Sequence, residues 1–318
     1  MIKGNVAKLY FGKETEYASK ANPSFKIKFA SEDFKEEYEK KAEGLLTGSK
    51  ISGRSYTMGI KGSGKVSTLA RPDELGHFLR VLFGDYTNEG LVESGDYAGK
   101  YKHVFELVDG ASALPTLTAW VDRGAKKYSY VGLTAAELEL AASPGDFLKL
   151  DVTFNLKNEN EETTITEALS YSTNKPLRFY HGKVKVEGVE VADITDMKYN
   201  HKNNAELKLQ TTDTGIYYKQ PAIGEREITL SFEALYAVAS EAIKNSYFKT
   251  DDVIALELIF KNEDNDAAIL TVPFAQITEY SGGTATGPDE MKVNYTVKAV
   301  DGETEPSLTL YNTRITDY

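Results

Sequence analysis

The sequence predicts a mainly β chain made of two tandem antiparallel β-sandwich or barrel domains, each with one short flanking α-helix. Three observations predict it: an order of elements that occurs twice, strands with strict two-residue alternation, and an aromatic content of 20 Tyr and 14 Phe against a single Trp. A fixed order that recurs at long spacing is the mark of an internal duplication. Tyr suits sheet surfaces, where it offers an apolar face and a polar tip.

The first cassette opens with the strand Lys65-Val-Ser-Thr-Leu69 and passes Pro72 into a helix. Leu75, Phe78, Leu79 and Leu82 recur there at i, i+3, i+4 and i+7, and Gly84 ends the helix. The second opens with Arg226-Glu-Ile-Thr-Leu230 and passes Ser231, an N-cap candidate, into a helix with Leu235, Val238, Ala239, Ala242 and Ile243 on one face. Downstream, Thr116–Val121 is matched by Leu256–Phe260. Both cassettes finish on alternating strands: Leu148, Leu150, Val152, Phe154 and Leu156 are answered by Met291, Val293, Tyr295, Val297 and Ala299. The interleaved Lys149, Asp151, Thr153 and Asn155, and Lys292, Asn294, Thr296 and Lys298, are polar, so each strand turns one side to a core and one to water. Each cassette also begins with a hairpin, Val6 to Phe11 turning at Gly12-Lys13, and Lys183 to Val186 turning at Glu187-Gly188.

The spacing between copies falls from about 175 residues at the hairpins to about 160 at the helices and about 140 at the last strands, so the first copy carries an insertion. Residues 84–114, with Gly90, Gly95 and Gly99, form the expected extra loop. The predicted division is a first domain at 1–157, a polar linker at 158–176 and a second domain at 177–318 with a C-terminal extension. Within the first, 30–62 is a long excursion. Its segment Ser31–Leu46 is so charged, with only Phe34, Tyr38 and Lys41 on one helical face, that it predicts a short solvated helix or an arm awaiting a partner. The Gly- and Ser-rich Thr47–Gly62 follows it.

Charge and motifs exclude more than they assign. The net charge is -11, from 48 acidic and 37 basic residues, with no basic stripe to follow a phosphate backbone. The absence of Cys removes disulfide and thiolate chemistry, and Met1–Tyr17 has no apolar secretory core. No apolar run approaches the length of a membrane span, so a soluble protein without membrane contact is expected. Gly59-Ile-Lys-Gly-Ser-Gly64-Lys65-Val66 has P-loop spacing but puts Val where a Mg²⁺-binding hydroxyl must stand, so it reads as a glycine turn. His77, His103, His181 and His201 show no zinc spacing, and His77 falls beside the buried edge of a helix. Asp251-Asp252 and Glu263–Asp266 are calcium-like only in composition, the second standing where a hairpin turn belongs. No catalytic residue, cofactor site or metal site is assigned, and no enzyme activity is expected.

Four stretches carry a family resemblance: Val66–Gly84, Leu114–Arg123, Tyr130–Leu133 and Phe147–Leu156. Together they resemble the two-domain family of phage tail tube (major tail) proteins, and the order of elements extends the likeness over most of the chain. Gly76 inside the helix and the strongly charged arm depart from that pattern. The resemblance implies two tail-tube-like domains whose inner sheets join around a lumen, rings of three copies with pseudo-sixfold symmetry, and DNA passing through without specific binding. It also implies a virion protein assembled in the bacterial host cytoplasm, with tail terminator, tape-measure and distal tail proteins as partners besides itself. One face of the long strands, including Asp151, Asn155, Asn294 and Lys298, is then lumen or outer surface. The alternative is a tandem sandwich that binds carbohydrate or a receptor, for which exposed Tyr residues such as Tyr217-Tyr218 speak.

Overall fold

In the computed structural model, which describes residues 4–44, 51, 53–110, 112–165, 168–209, 216–284 and 290–318, the strand pairings of the first half recur in the second. After a 3₁₀ turn at Gly4–Val6, the first half contains β1 (Lys8–Lys13), β2 (Phe25–Ile27), β3 (Ser31–Glu32), β4 (Lys35–Ala42), β5 (Ser55–Leu69), α1 (Pro72–Phe83), β6 (Gly84–Leu91), β7 (Tyr101–Leu107), β8 (Leu117–Asp122), β9 (Lys127–Ala142), β10 (Lys149–Leu156) and β11 (Asn158–Glu162). The second contains β12 (Arg178–Val186), β13 (Val189–Glu190), β14 (Ile194–Lys202), β15 (Glu227–Leu235), α2 (Val238–Ile243) with a π-helical turn Lys244–Phe248, β16 (Val253–Lys261), β17 (Ala267–Gly282), β18 (Lys292–Ala299) and β19 (Ser307–Asn312).

The chain β1–β8–β9–β10–β5–β4 of paired strands has the counterpart β12–β16–β17–β18–β15–β14. β11 and β19 hold matching places beside β9 and β17. Even the irregularities coincide. β10 skips Ala136 of β9 between Thr153 and Phe154, and β18 skips Thr278 of β17 between Thr296 and Val297. A bulge lets a long strand bend, and β9 and β17 use it to pass from an outer sheet into an inner one.

The inner sheets of the two halves are one sheet. Met197 to Lys202 of β14 pair with Ala142 to Glu137 of β9, giving the continuous order β4–β5–β10–β9–β14–β15–β18–β17. Its inward residues, among them Val66, Val152, Leu138, Tyr199, Leu230 and Tyr295, are buried in a hydrophobic core that runs through both halves. α1 caps the first half much as the sequence predicts: Pro72 sits at its start, where no N–H is needed, and Leu75, Phe78, Leu79 and Leu82 are fully buried. Gly84 ends it at φ +95°.

Several expectations are corrected. Gly12-Lys13 is not a turn but lies within β1, opposite Thr118 and Leu117. Residues 31–44 of the charged segment are not helical: β3 and β4 pair along β5, while residues 45–46 and, in the segment that follows, 47–50 and 52 lie outside the described residues. Local charge suggested a solvated helix, but Phe34 is the buried anchor, stacked on Tyr130 at 5.3 Å, while Tyr38 is exposed. Ser231 and Leu235 belong to β15, and α2 begins only at Val238, which is 90% exposed. There the Ser240 hydroxyl accepts from the Ala237 N–H at 2.7 Å.

Residues 84–110 and 112–114 are not a simple loop. β6 and β7 form a hairpin, and β7 pairs with β19, so the insertion extends the outer sheet of the second half. Lys100, between these strands, meets the buried Asp266 at 2.5 Å. The stretch 158–176 opens with β11, paired to β9, and its residues 166–167 lie outside the described ones. The Glu187-Gly188 turn and the turn at Glu263–Asp266 stand where expected; Glu187 and Gly188 have φ +49° and +75°, as a two-residue hairpin turn requires.

Candidate assembly surface

The outward face of the inner sheet is an organised polar surface. Alternation places Asp151 and Asn155 of β10 and Asn294 and Lys298 of β18 there, so all four residues singled out from the sequence share one face. Around them stand eight lysines, and each has a carboxylate within 2.7 to 3.9 Å: Lys35–Glu37, Lys61–Glu39, Lys65–Asp151, Lys149–Asp146, Lys198–Glu139, Lys202–Glu137, Lys292–Glu233 and Lys298–Glu227. Most join neighbouring strands. The Asp151 carboxylate hydrogen-bonded to Lys65 holds that ammonium above its usual range, and Glu233 does the same for Lys292. Exposed pairs of this kind contribute little to stability. Their effect on the surface is larger, because each of these eight cations already has an anion beside it.

The P-loop-like glycines lie in this sheet rather than in a turn. Gly62 and Gly64 face inward from β5, and a Cβ on either would strike the side chain of Leu156 or Phe34. Lys65 points the other way, to Asp151. The spacing that resembles a phosphate loop is therefore a packing pattern: alternate glycines leave room for large neighbours across the sheet.

The histidines are dispersed. His77 stacks on Phe25 at 3.9 Å, His103 Nδ1 lies 2.8 Å from the Tyr86 hydroxyl, His201 Nδ1 lies 3.0 Å from the Tyr199 hydroxyl, and His181 is on β12. Among the described residues no group of three His, Asp or Glu is placed to hold a metal ion, and no helix is long and apolar enough to cross a membrane. Asp252 accepts from Thr250 Oγ1 at 2.7 Å, and Tyr218 donates to Glu39 at 2.7 Å.

Sequence reasoning missed the joint between β9 and β14 and the ion pairs across it. The signal was present, because Glu137 and Glu139 alternate on one strand and Lys198 and Lys202 on the other. Nothing local says that these two strands meet.

The protein is thus a mainly β, double-layered repeat with a continuous inner sheet whose outward face carries paired charges. The family model described as phage tail tube protein matches residues 4–299. The chain belongs to that family and is a structural component of the phage tail. No curated protein matches it.

Proposed function

We propose that three copies of this chain close a ring of pseudo-sixfold symmetry, that rings stack into the tail tube, and that the outward face of the inner sheet lines the channel through which DNA passes. In this reading 1–157 and 177–318 are the two tail-tube domains, and each ring holds six such units. The observation that carries it is the pairing of eight lysines on that face with carboxylates. Free lysines would neutralise phosphates, release counterions and hold the DNA. Lysines already neutralised by Glu and Asp leave a hydrated, polar wall with little net attraction for a polyanion. Assembly in the host cytoplasm and contacts with terminator, tape-measure and distal tail proteins complete the proposal.

Electron microscopy of the purified protein over a concentration and salt series tests it. Rings or hollow tubes with threefold or pseudo-sixfold end views are expected, and persistent monomers would overturn it. The lumen assignment has its own test in the triple variant Glu139→Gln, Asp151→Asn, Glu233→Gln, which frees Lys198, Lys65 and Lys292. Tubes of the variant should retain short DNA at low salt where the parent does not; equal retention would place the channel elsewhere.

A further inference from the structure

We infer that the joint between β9 and β14 inside the chain is the template for the joint between subunits, with the edge of β17 in one copy pairing to the β3–β4 edge of the next. This rests on the ring reading above and says which strands close the ring and in what register.

The repeat makes the correspondence residue by residue. Matching Leu69 of β5 to Leu235 of β15 aligns Lys149 with Lys292, Thr153 with Thr296, and the two bulges with each other. Through those partners Glu137, Glu139 and Leu140 of β9 correspond to Glu279, Ser281 and Gly282 of β17. On the other side, Tyr199, Asn200 and Lys202 of β14 correspond to Phe34, Lys35 and Glu37. Tyr199 and Phe34 are both buried to within 1%.

Two edges are left over when this mapping is complete. Among the described residues, Ile277 to Gly282 pair with β18 on one side only, and β3 and β4 pair only with β5. In the first half the edge equivalent to that of β17 is covered by β14. The outer layer shows the same asymmetry. α1 is packed under β6, β7 and β19 of the extended outer sheet, with Tyr318 against Gly76 and His77, whereas only Ser240 of α2 is buried. What the second half does for the first, a second copy of the chain would do for the second half.

Transferring the register of β9 and β14 puts Gly282 opposite Phe34, Ser281 opposite Lys35, Tyr280 opposite Glu36 and Glu279 opposite Glu37 of the next copy. Gly283 N–H donates inward to Lys292 O at 2.9 Å and Asp33 N–H to Lys65 O at 3.2 Å. By alternation, Tyr280, Gly282, Phe34 and Glu36 turn their peptide groups to the open edges, and Ser281–Lys35 is a close, non-hydrogen-bonded pair. In the free subunit the Phe34 N–H already donates to Glu32 Oε2 at 3.2 Å, and its carbonyl accepts from Arg123 at 2.9 Å. That plug blunts the edge, as does the charge of Lys35–Ala42. Lys35, paired to Glu37 within the subunit, would stand beside Glu279 of its neighbour as well and offset the repulsion of the two glutamates.

Because the chain has no cysteine, paired cysteines test the register directly. Ser281→Cys with Lys35→Cys should give covalent oligomers when assembled protein is oxidised. Ser281→Cys with Lys41→Cys, displaced by about 20 Å along the strand, should not. Glu139→Cys with Asn200→Cys closes the internal joint and checks that the fold and the chemistry permit such a bridge. Rings that cross-link at neither pair, or only at the displaced one, overturn this inference and leave the ring reading standing. Parent protein that never forms rings overturns both. As a second readout, Lys35→Glu should reduce assembly at least tenfold, and Glu279→Lys added to it should restore it; no rescue counts against the register.

Discussion

Glu74 is a buried carboxylate in the first turn of α1. Burial, with Asp73 adding repulsion, pushes its pKa from 4.5 up to about 7. A raised carboxyl pKa means that the native state binds the proton more tightly than the unfolded one. The stability it contributes is fully present below about pH 4.5 and is lost as pH rises through about 7. Glu74→Gln should therefore raise stability at pH 8 by up to about 3 kcal/mol and leave it nearly unchanged at pH 4, as read from urea unfolding. His201 acts in the opposite sense. Burial first, then the Arg226 charge, lowers its pKa from 6.5 to about 3, so its neutral form is favoured in the fold. Stability from this group is present above about pH 6.5 and drains away as pH falls toward 3, by about 1.4 kcal/mol per pH unit at most. His201→Gln should flatten that acid limb, and an unchanged slope between pH 6 and 4 would contradict the assignment.

At the scale of elements, the glycine in α1 has a packing reason. Gly76 costs helix stability, about 1 kcal/mol relative to Ala, yet a Cβ there would come within 2.3 Å of the Tyr318 ring. Tyr318 is fully buried, its hydroxyl donating to Pro72 O at 2.9 Å. Gly76→Ala should thus destabilise by about 1–3 kcal/mol instead of stabilising, whereas in a Tyr318→Ala background, where the ring is gone, the same substitution should cause no further loss. The arm is fixed in a similar way from a distance. Arg123 holds Glu32 through two bonds of 2.8 Å. Arg123→Lys keeps the charge but loses the fork, and should cost about 1–3 kcal/mol while speeding amide exchange at Phe34 and Lys35. Exchange that stays slow would show that β5 alone secures the arm.

For the whole molecule, the two halves share a sheet at β9–β14, and β19 of the second half pairs with β7 of the first. Unfolding should accordingly be a single cooperative transition by both circular dichroism and tryptophan emission, although Trp120 lies in the first half alone. Two separated transitions would show that the shared sheet contributes little coupling. The same continuity bears on the proposed assembly, since two halves that share a sheet would present their open edges in a fixed relation to each other.

Much of this was legible in the chain. The two-residue alternation of Leu148–Leu156 and Met291–Ala299, the periodicity of α1 and the repeated order of elements are local patterns, and local patterns are what hydrophobic burial writes into a sequence. They sufficed for a mainly β fold, for the family resemblance and for the polar face. The arm was misread because its eight strand residues, Lys35–Ala42, carry no apolar alternation; an edge strand pairs through its backbone and needs none. The insertion was taken for a loop because its partner, β19, lies some two hundred residues away. Sequence alone determined which side of the alternating strands β10 and β18 meets the core. Only the tertiary structure decided which strands lie side by side, which lysines are neutralised and, among the described residues, which two edges remain open, because strands pair through their backbones and the side chains of one strand do not name its distant partner.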